Sequence, residues 1–178
     1  RRHPHINCIL RFGRLYPRKS ISIFFQVATD VAGEDLSGVT VYHAGEKSVV
    51  DIAKEIEGGV QKVRSHEDHS YRRMKNLFGL LPGFCSRWLL DFSGFFMYSL
   101  NLWSPLFGTP RDAMGNVMIT NIGPLGLDMA FAPLVGYSRV PMLITMGAAT
   151  ERPVVVNGEL RSSNVMKLCV TFDHRIID

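Results

Sequence analysis

Cysteine is scarce in this chain, acid is absent from its first 29 residues, and no long apolar run goes uninterrupted. Cys8, Cys85 and Cys169 are odd in number, widely spaced and set among apolar residues. That pattern argues against a disulfide framework and fits reduced thiols in a cytoplasmic protein. No metal pattern uses them. His66-Glu67-Asp68-His69 puts two histidines at i and i+3, but no third ligand or glutamate base follows at matching spacing, so a solvated helix end is expected and no metal. His3, His5 and His43 carry no usable pattern.

From Leu77 to Phe107 the chain is rich in leucine and aromatics, yet Arg87, Asp91, Pro82 and Pro105 break it up. A bilayer span needs about 20 consecutive apolar residues. Two short apolar helices covering the domain or a partner subunit are expected instead; contact of 77–107 with a membrane surface is the alternative, and would need a polar face that the segment barely has. The chain starts without Met inside a basic stretch and shows no signal-peptide pattern, which reads as an internal piece of a longer polypeptide. Internal repeats and low-complexity linkers are missing too.

Without acid to balance them, Arg1, Arg2, Arg11, Arg14, Arg18 and Lys19 supply much of the net charge of +4. Such a patch could attract nucleic acid, an anionic membrane or coenzyme phosphates. The aromatic interleaving of nucleic-acid binders is missing, so a solvated face and no nucleic-acid partner are expected.

What is present is a chain of 178 residues, 46% hydrophobic and 20% charged, enough for one globular domain with a sizeable core. Residues 21–29 read as a largely buried strand and Val39–Tyr42 as a short second one. Ser48 and Asp51 form an S-x-x-D capping box before a helix whose apolar stripe is Val49, Ile52, Ala53, Ile56, Val60 and Val63. Gly58-Gly59 weakens its middle. Strands follow at 117–121, 141–148 and 153–156, and Asn157-Gly158 signals a type I′ hairpin leading toward a last strand at 165–173. On that strand Met166, Leu168, Val170 and Phe172 share one side and Lys167, Cys169 and Thr171 the other. Strands, one long helix and more strands indicate an α+β fold with a mixed sheet.

The last strand delivers His174 to its end, with Asp178 four positions on. An imidazole so placed suits a base on a fixed loop. Three blocks accompany it in order: Asn121-Ile122-Gly123 after a strand, Arg152-Pro153-Val154-Val155-Val156-Asn157-Gly158-Glu159, and Phe172-Asp173-His174-Arg175-Ile176-Ile177-Asp178. Together they resemble the catalytic domain of the dihydrolipoyl acyltransferases of 2-oxoacid dehydrogenase complexes, which shares its fold with chloramphenicol acetyltransferase. His3-Pro4-His5-Ile6-Asn7 resembles that family's P-x-x-N segment, and Val27-Ala28-Thr29-Asp30 with residues 47–56 resembles its strand, turn and helix. The resemblance covers most of 3–68 and 113–178. Departures are the apolar stretch at about 70–110, which resembles free-standing relatives without a lipoyl domain, and Ser37-Gly38-Val39-Thr40-Val41 where a proline is usual. The glycine expected after Asp178 and the first part of the domain are not in the sequence, so residues 1–178 are read as a partial catalytic domain, truncated at both ends.

The resemblance implies an acyltransferase that moves an acyl group between coenzyme A and a thiol such as dihydrolipoamide, without a covalent acyl-enzyme. It gives His174 the role of base and Thr120 that of hydroxyl donor to the tetrahedral intermediate, with Asn121 the nearby second choice. Asp178 is expected to orient the loop, and Asp173 with Arg175 to form an ion pair; Arg175 meeting a coenzyme phosphate is the alternative. The resemblance also implies a homotrimer with His174 of one chain meeting Thr120 of the next, and lipoamide carried on a separate domain or protein. Two alternatives stay open: a non-catalytic trimeric scaffold, and a membrane-surface acyltransferase with a lipid-linked substrate.

Overall fold

The computed structural model describes residues 6–28, 36–64, 87–88, 91–92, 94–96, 100 and 112–177. Most of the apolar stretch at 70–110, the His66–His69 cluster, Cys85 and Asp178 lie outside the described residues. Among the described ones, no helix is long and apolar enough to cross a membrane.

A hairpin that the sequence reading did not anticipate comes first, β1 (Cys8–Arg11) with β2 (Arg14–Pro17). Its two turn residues, Phe12 and Gly13, have φ of 47° and 73°. Those are the left-handed values that a two-residue type I′ connection demands. Phenylalanine is an unusual occupant there, and its ring meets Phe95 edge-on at 6.4 Å.

The main sheet holds five strands in the order β4 (Leu36–Val41), β3 (Ile23–Ala28), β5 (Val117–Asn121), β6 (Met142–Met146), β9 (Leu168–Phe172). β3, β5 and β6 run parallel, while β4 and β9 are antiparallel edges. The mixed sheet expected from the pattern is therefore present. β9 is shorter than its apolar pattern, because the expected single strand breaks at 166–167. Residues 159–165 belong instead to β8, which pairs with β7 (Thr150–Val156) as a separate two-stranded ribbon. Asn157 (φ 53°) and Gly158 (φ 84°) turn that ribbon as a two-residue loop.

Registered partners in a sheet share a face. One face carries Met118 and Thr120, Leu143 and Thr145, and Cys169 and Thr171. The irregular segment between β5 and β6 covers it, packing Val140, Ala132 and Leu134 onto Met118 and Leu143. Full burial of a side chain such as Val140 or Leu143 contributes roughly 1.5–3 kcal/mol. The opposite face meets helix α1 (Val49–Arg64) only near β4. Gly59 explains why a helix-weakening residue is tolerated there, since a Cβ would stand 2.5 Å from Val39 Cγ1. Further along that face Leu168, Val170 and Phe172 are exposed. The side of β9 expected to be apolar is thus the solvent side, and the Cys169 side is the buried one.

The α1 capping box forms as read: Ser48 Oγ accepts from Asp51 N at 3.1 Å and donates to Asp51 Oδ2 at 2.6 Å. The apolar stripe is only partly covered, with Val63 buried but Val49 and Ala53 exposed. A second correction concerns the basic N-terminal stretch. Arg18 is no solvated surface cation, for its side chain is 5% exposed, pairs with Asp112 at 3.2 Å and donates to Gly115 O at 2.8 Å.

Candidate active site

The turn after β9 presents His174. Asp173 N donates to Pro141 O at 2.8 Å, holding the strand end to β6, and Asp173 O accepts from Ile176 N and Ile177 N at 2.9 and 3.0 Å. Ile176 and Ile177 are buried against Cys8, Ile6, Leu10 and Met142, so apolar burial anchors the turn after His174, and the Asp173–Pro141 hydrogen bond anchors it before. His174 itself is exposed, its ring 5.9 Å from Phe172 in an edge-on contact. It lines a cleft of about 310 Å³ together with Leu10, Leu134, Val135, Arg139 and Phe172. That volume accepts a thiol or acyl group beside the imidazole.

Asp173 and Arg175 also line the cleft, and they pair with each other. Arg175 Nε donates to Asp173 Oδ1 at 2.9 Å and its Nη2 to Oδ2 at 2.7 Å, a two-pronged fork, and Arg175 N also donates to Oδ1 at 3.0 Å. The Arg175 hydrogen bonds hold the Asp173 carboxyl below the usual carboxylate range, against the opposing pull of desolvation, and the pairing raises the Arg175 guanidinium. That fork uses two of the guanidinium's five N–H donors.

Buried amides fix the other wall. Asn116, 5% exposed, accepts from Ser22 N at 2.9 Å and donates through Nδ2 to Asn7 Oδ1, while Asn7 Nδ2 donates to Arg18 O at 3.1 Å. Asn7 of the P-x-x-N-like segment thereby ties the hairpin, which brings Leu10 to the cleft, to the start of β5. Sequence reasoning assigned Asn7 no role of its own, since its side-chain partner Asn116 lies 109 residues away.

Thr120 and Asn121 sit at the far end of the sheet. Phe172 is level with Met142 and Val117, so Thr120 lies three residues further up β5, roughly 10 Å along the strands and roughly 9 Å across them. His174 is beyond Phe172 in the other direction. Within one chain the fold does not bring Thr120 and His174 together. Asn121 Oδ1 accepts from Gly123 N at 2.9 Å, which commits its carbonyl oxygen to the turn after β5. Thr145, level with Thr120, is 1% exposed, and its hydroxyl makes no hydrogen bond to any described residue. Asp128 nearby binds Arg152 at 2.7 Å and Lys167 at 2.6 Å, joining the segment after β5 to the open end of the β7–β8 ribbon, opposite its turn. The Lys167 hydrogen bond, with Arg152 assisting, lowers the Asp128 carboxyl despite some desolvation. No group of three or more metal-binding side chains occurs among the described residues.

Residues 110–178 match the family model of the 2-oxoacid dehydrogenases acyltransferase (catalytic domain). That stretch is what the chain shares with this family. Two relatives agree: the dihydrolipoyllysine-residue acetyltransferase component of the pyruvate dehydrogenase complex of Mycoplasma capricolum is 38% identical over 60 residues, covering 34% of this chain and 13% of the relative. The dihydrolipoyllysine-residue succinyltransferase component of the 2-oxoglutarate dehydrogenase complex of Buchnera aphidicola is 41% identical over 64 residues, 36% of this chain and 15% of the relative. Among solved structures, a probable dihydrolipoamide acetyltransferase from Listeria monocytogenes superposes over 99% of this chain and 57% of its own, with a TM-score of 0.64 and 19% identity. The Azotobacter vinelandii dihydrolipoamide acetyltransferase, studied for the catalytic roles of a serine, a histidine and an asparagine, gives 0.63 at 20% identity over 99% of this chain and 56% of its own. The α+β fold is therefore that of these acetyltransferases, and the chain spans about a seventh of the curated relatives and just over half of the solved structures.

Proposed function

We propose that the protein is an acyltransferase that moves an acyl group between coenzyme A and a thiol acceptor such as dihydrolipoamide. The observation that carries the reading is His174, exposed at a cleft and held there by a turn that buried Ile176 and Ile177 anchor, in a stretch that matches an acyltransferase family. A neutral imidazole takes the proton of a thiol held beside it. The thiolate then attacks the thioester carbonyl, and the tetrahedral intermediate expels the second thiol, which recovers the proton from the imidazolium. No acyl-enzyme forms.

The negative oxygen of that intermediate needs a donor. Thr120 is the candidate, and its distance from His174 within the chain supports a site completed by a neighbouring subunit, as in a homotrimer. Asp178 is assigned the orientation of the histidine loop. In the Azotobacter acetyltransferase the histidine and asparagine under study are four residues apart, the spacing of His174 and Asp178 here. The Asp173 fork supports a structural rather than a phosphate-binding role for Arg175. Thiol acceptors on a lipoyl domain are the partner this chemistry calls for.

In the full-length protein, His174→Ala is expected to lower acyl transfer from acetyl-CoA to dihydrolipoamide by at least about a hundredfold. Because His174 is exposed, the thermal midpoint is expected to hold. An unchanged rate would leave the trimeric scaffold as the better account.

A further inference from the structure

Among the described residues, Asp128 Oδ1 and the Thr145 hydroxyl are buried atoms with no hydrogen-bond partner. Asp128 has a second carboxylate oxygen, which accepts from Arg152 and Lys167. Thr145 has one hydroxyl and nothing else, 1% exposed in the middle of β6. A valine would fill the same place without burying a polar group, so a hydroxyl kept there without a partner is costly to the fold.

Its neighbours narrow what the hydroxyl serves. Thr120 on β5 and Cys169 on β9 are its registered partners, and all three share the covered face of the sheet. A thiol accepts hydrogen bonds weakly. Neighbouring strands lie about 4.8 Å apart, and β5 and β6 set Thr120 beside Thr145 in parallel register, so a turn about one side-chain bond brings the two hydroxyls into reach. Thr120 is also the residue assigned above to the oxyanion.

We propose that Thr145 is a positioning residue for acyl transfer, donating its hydroxyl proton to Thr120 Oγ1 while Thr120 donates its own proton to the oxyanion. This rests on the Thr120 role in the proposed function. A threonine hydroxyl has one proton and two lone pairs. Once Thr120 commits its proton to the intermediate, its oxygen accepts from Thr145, which fixes the rotamer and polarises the donated bond. No covalent bond changes and no proton is transferred along the pair. Burial of the Thr145 hydroxyl is then tolerated in the resting protein because it is satisfied when negative charge develops.

The test uses the full-length protein with Thr145→Val, Thr145→Ser, Thr120→Val and the double Val variant, reading kcat, KM and thermal midpoint with acetyl-CoA and dihydrolipoamide. Thr145→Val is expected to lower kcat about tenfold, less than loss of the direct donor, with KM little changed and a midpoint equal to or above the parent's. Thr145→Ser should keep most of kcat, and Thr145→Val should add nothing in the Thr120→Val background. Parental kcat in Thr145→Val, a Ser variant as poor as Val, or an equal loss in both backgrounds would each overturn the proposal. Full activity in Thr120→Val would overturn the oxyanion role of Thr120 and the Thr145 proposal with it, whereas loss there beside a fully active Thr145→Val overturns Thr145 alone. Should Thr145→Val not fold, Thr145→Cys, a weak donor, is held to the same fall in kcat.

Discussion

The two ends of the central sheet are built on opposite plans. At the β9 end, buried Ile176 and Ile177 clamp a turn so that His174 stands exposed over a cleft. At the β5 end, hydroxyls sit within the sheet, Thr145 fully buried and Thr120 half-buried, below a segment tied down by Asp128. A base must reach an incoming thiol and exchange protons with it, which calls for exposure. An oxyanion donor works best where water is excluded and its direction is fixed. Each end supplies one of these environments and neither supplies both, which is the physical case for a site completed between subunits.

The largest expected effect tests that division directly. Thr120→Val should lower kcat by about 10²–10³, the usual loss for one oxyanion donor. Mixing it with His174→Ala, after dissociation and reassembly, should restore about a quarter of parental activity if each site takes its histidine and its threonine from different subunits of a cyclic assembly. No recovery would mean that both groups act within one chain, and the contrast between the two ends would lose its functional meaning.

Next in size is the clamp. Ile177→Ala should destabilise the protein by about 2–3 kcal/mol, toward the lower part of the range for such truncations because Ile177 borders a small cluster. A thermal or urea transition measures that cost. Acyl transfer should fall in the same variant under conditions where it remains fully folded, since the turn that presents His174 loosens.

The smallest effect concerns charge. Asp128 and Asp173 are held below the ordinary carboxylate value of about 3.9 in the folded chain. Their stabilisation is therefore present above about pH 4 and lost as pH falls through the folded values. Asp128→Asn should flatten the acid side of a midpoint-versus-pH curve more than Arg175→Gln does, because Asp128 joins two separate segments and Arg175 only closes its own turn. Equal curves would show that the Asp128 bridges do not matter to stability.

Much of the fold was legible before any coordinates, and the reasons are local. The S-x-x-D box named the start of α1, Asn157-Gly158 named its hairpin, and β-branched runs named β3, β5 and β6. The β1–β2 hairpin escaped because Phe12 is a poor signal for a left-handed turn. Burial was read less well. Leu168 and Phe172 look like core residues, yet they lie on the open face, since alternation tells which residues share a side and not which side is covered. Arg18 looked like one of several surface cations because Asp112, its partner, is remote in sequence.

By itself the sequence determined the backbone vocabulary and the candidate chemistry: strand periods, caps, turns, and an imidazole followed four residues later by a carboxylate. These depend on neighbours within a few positions, so order along the chain is enough. Only the tertiary structure decided that His174 and Thr120 stand at opposite ends of one sheet, that Asn7 braces the entry to β5, and that Thr145 buries its hydroxyl beside Thr120. Those relations depend on which strands lie side by side and in what register, and that is settled by packing between residues far apart in the chain.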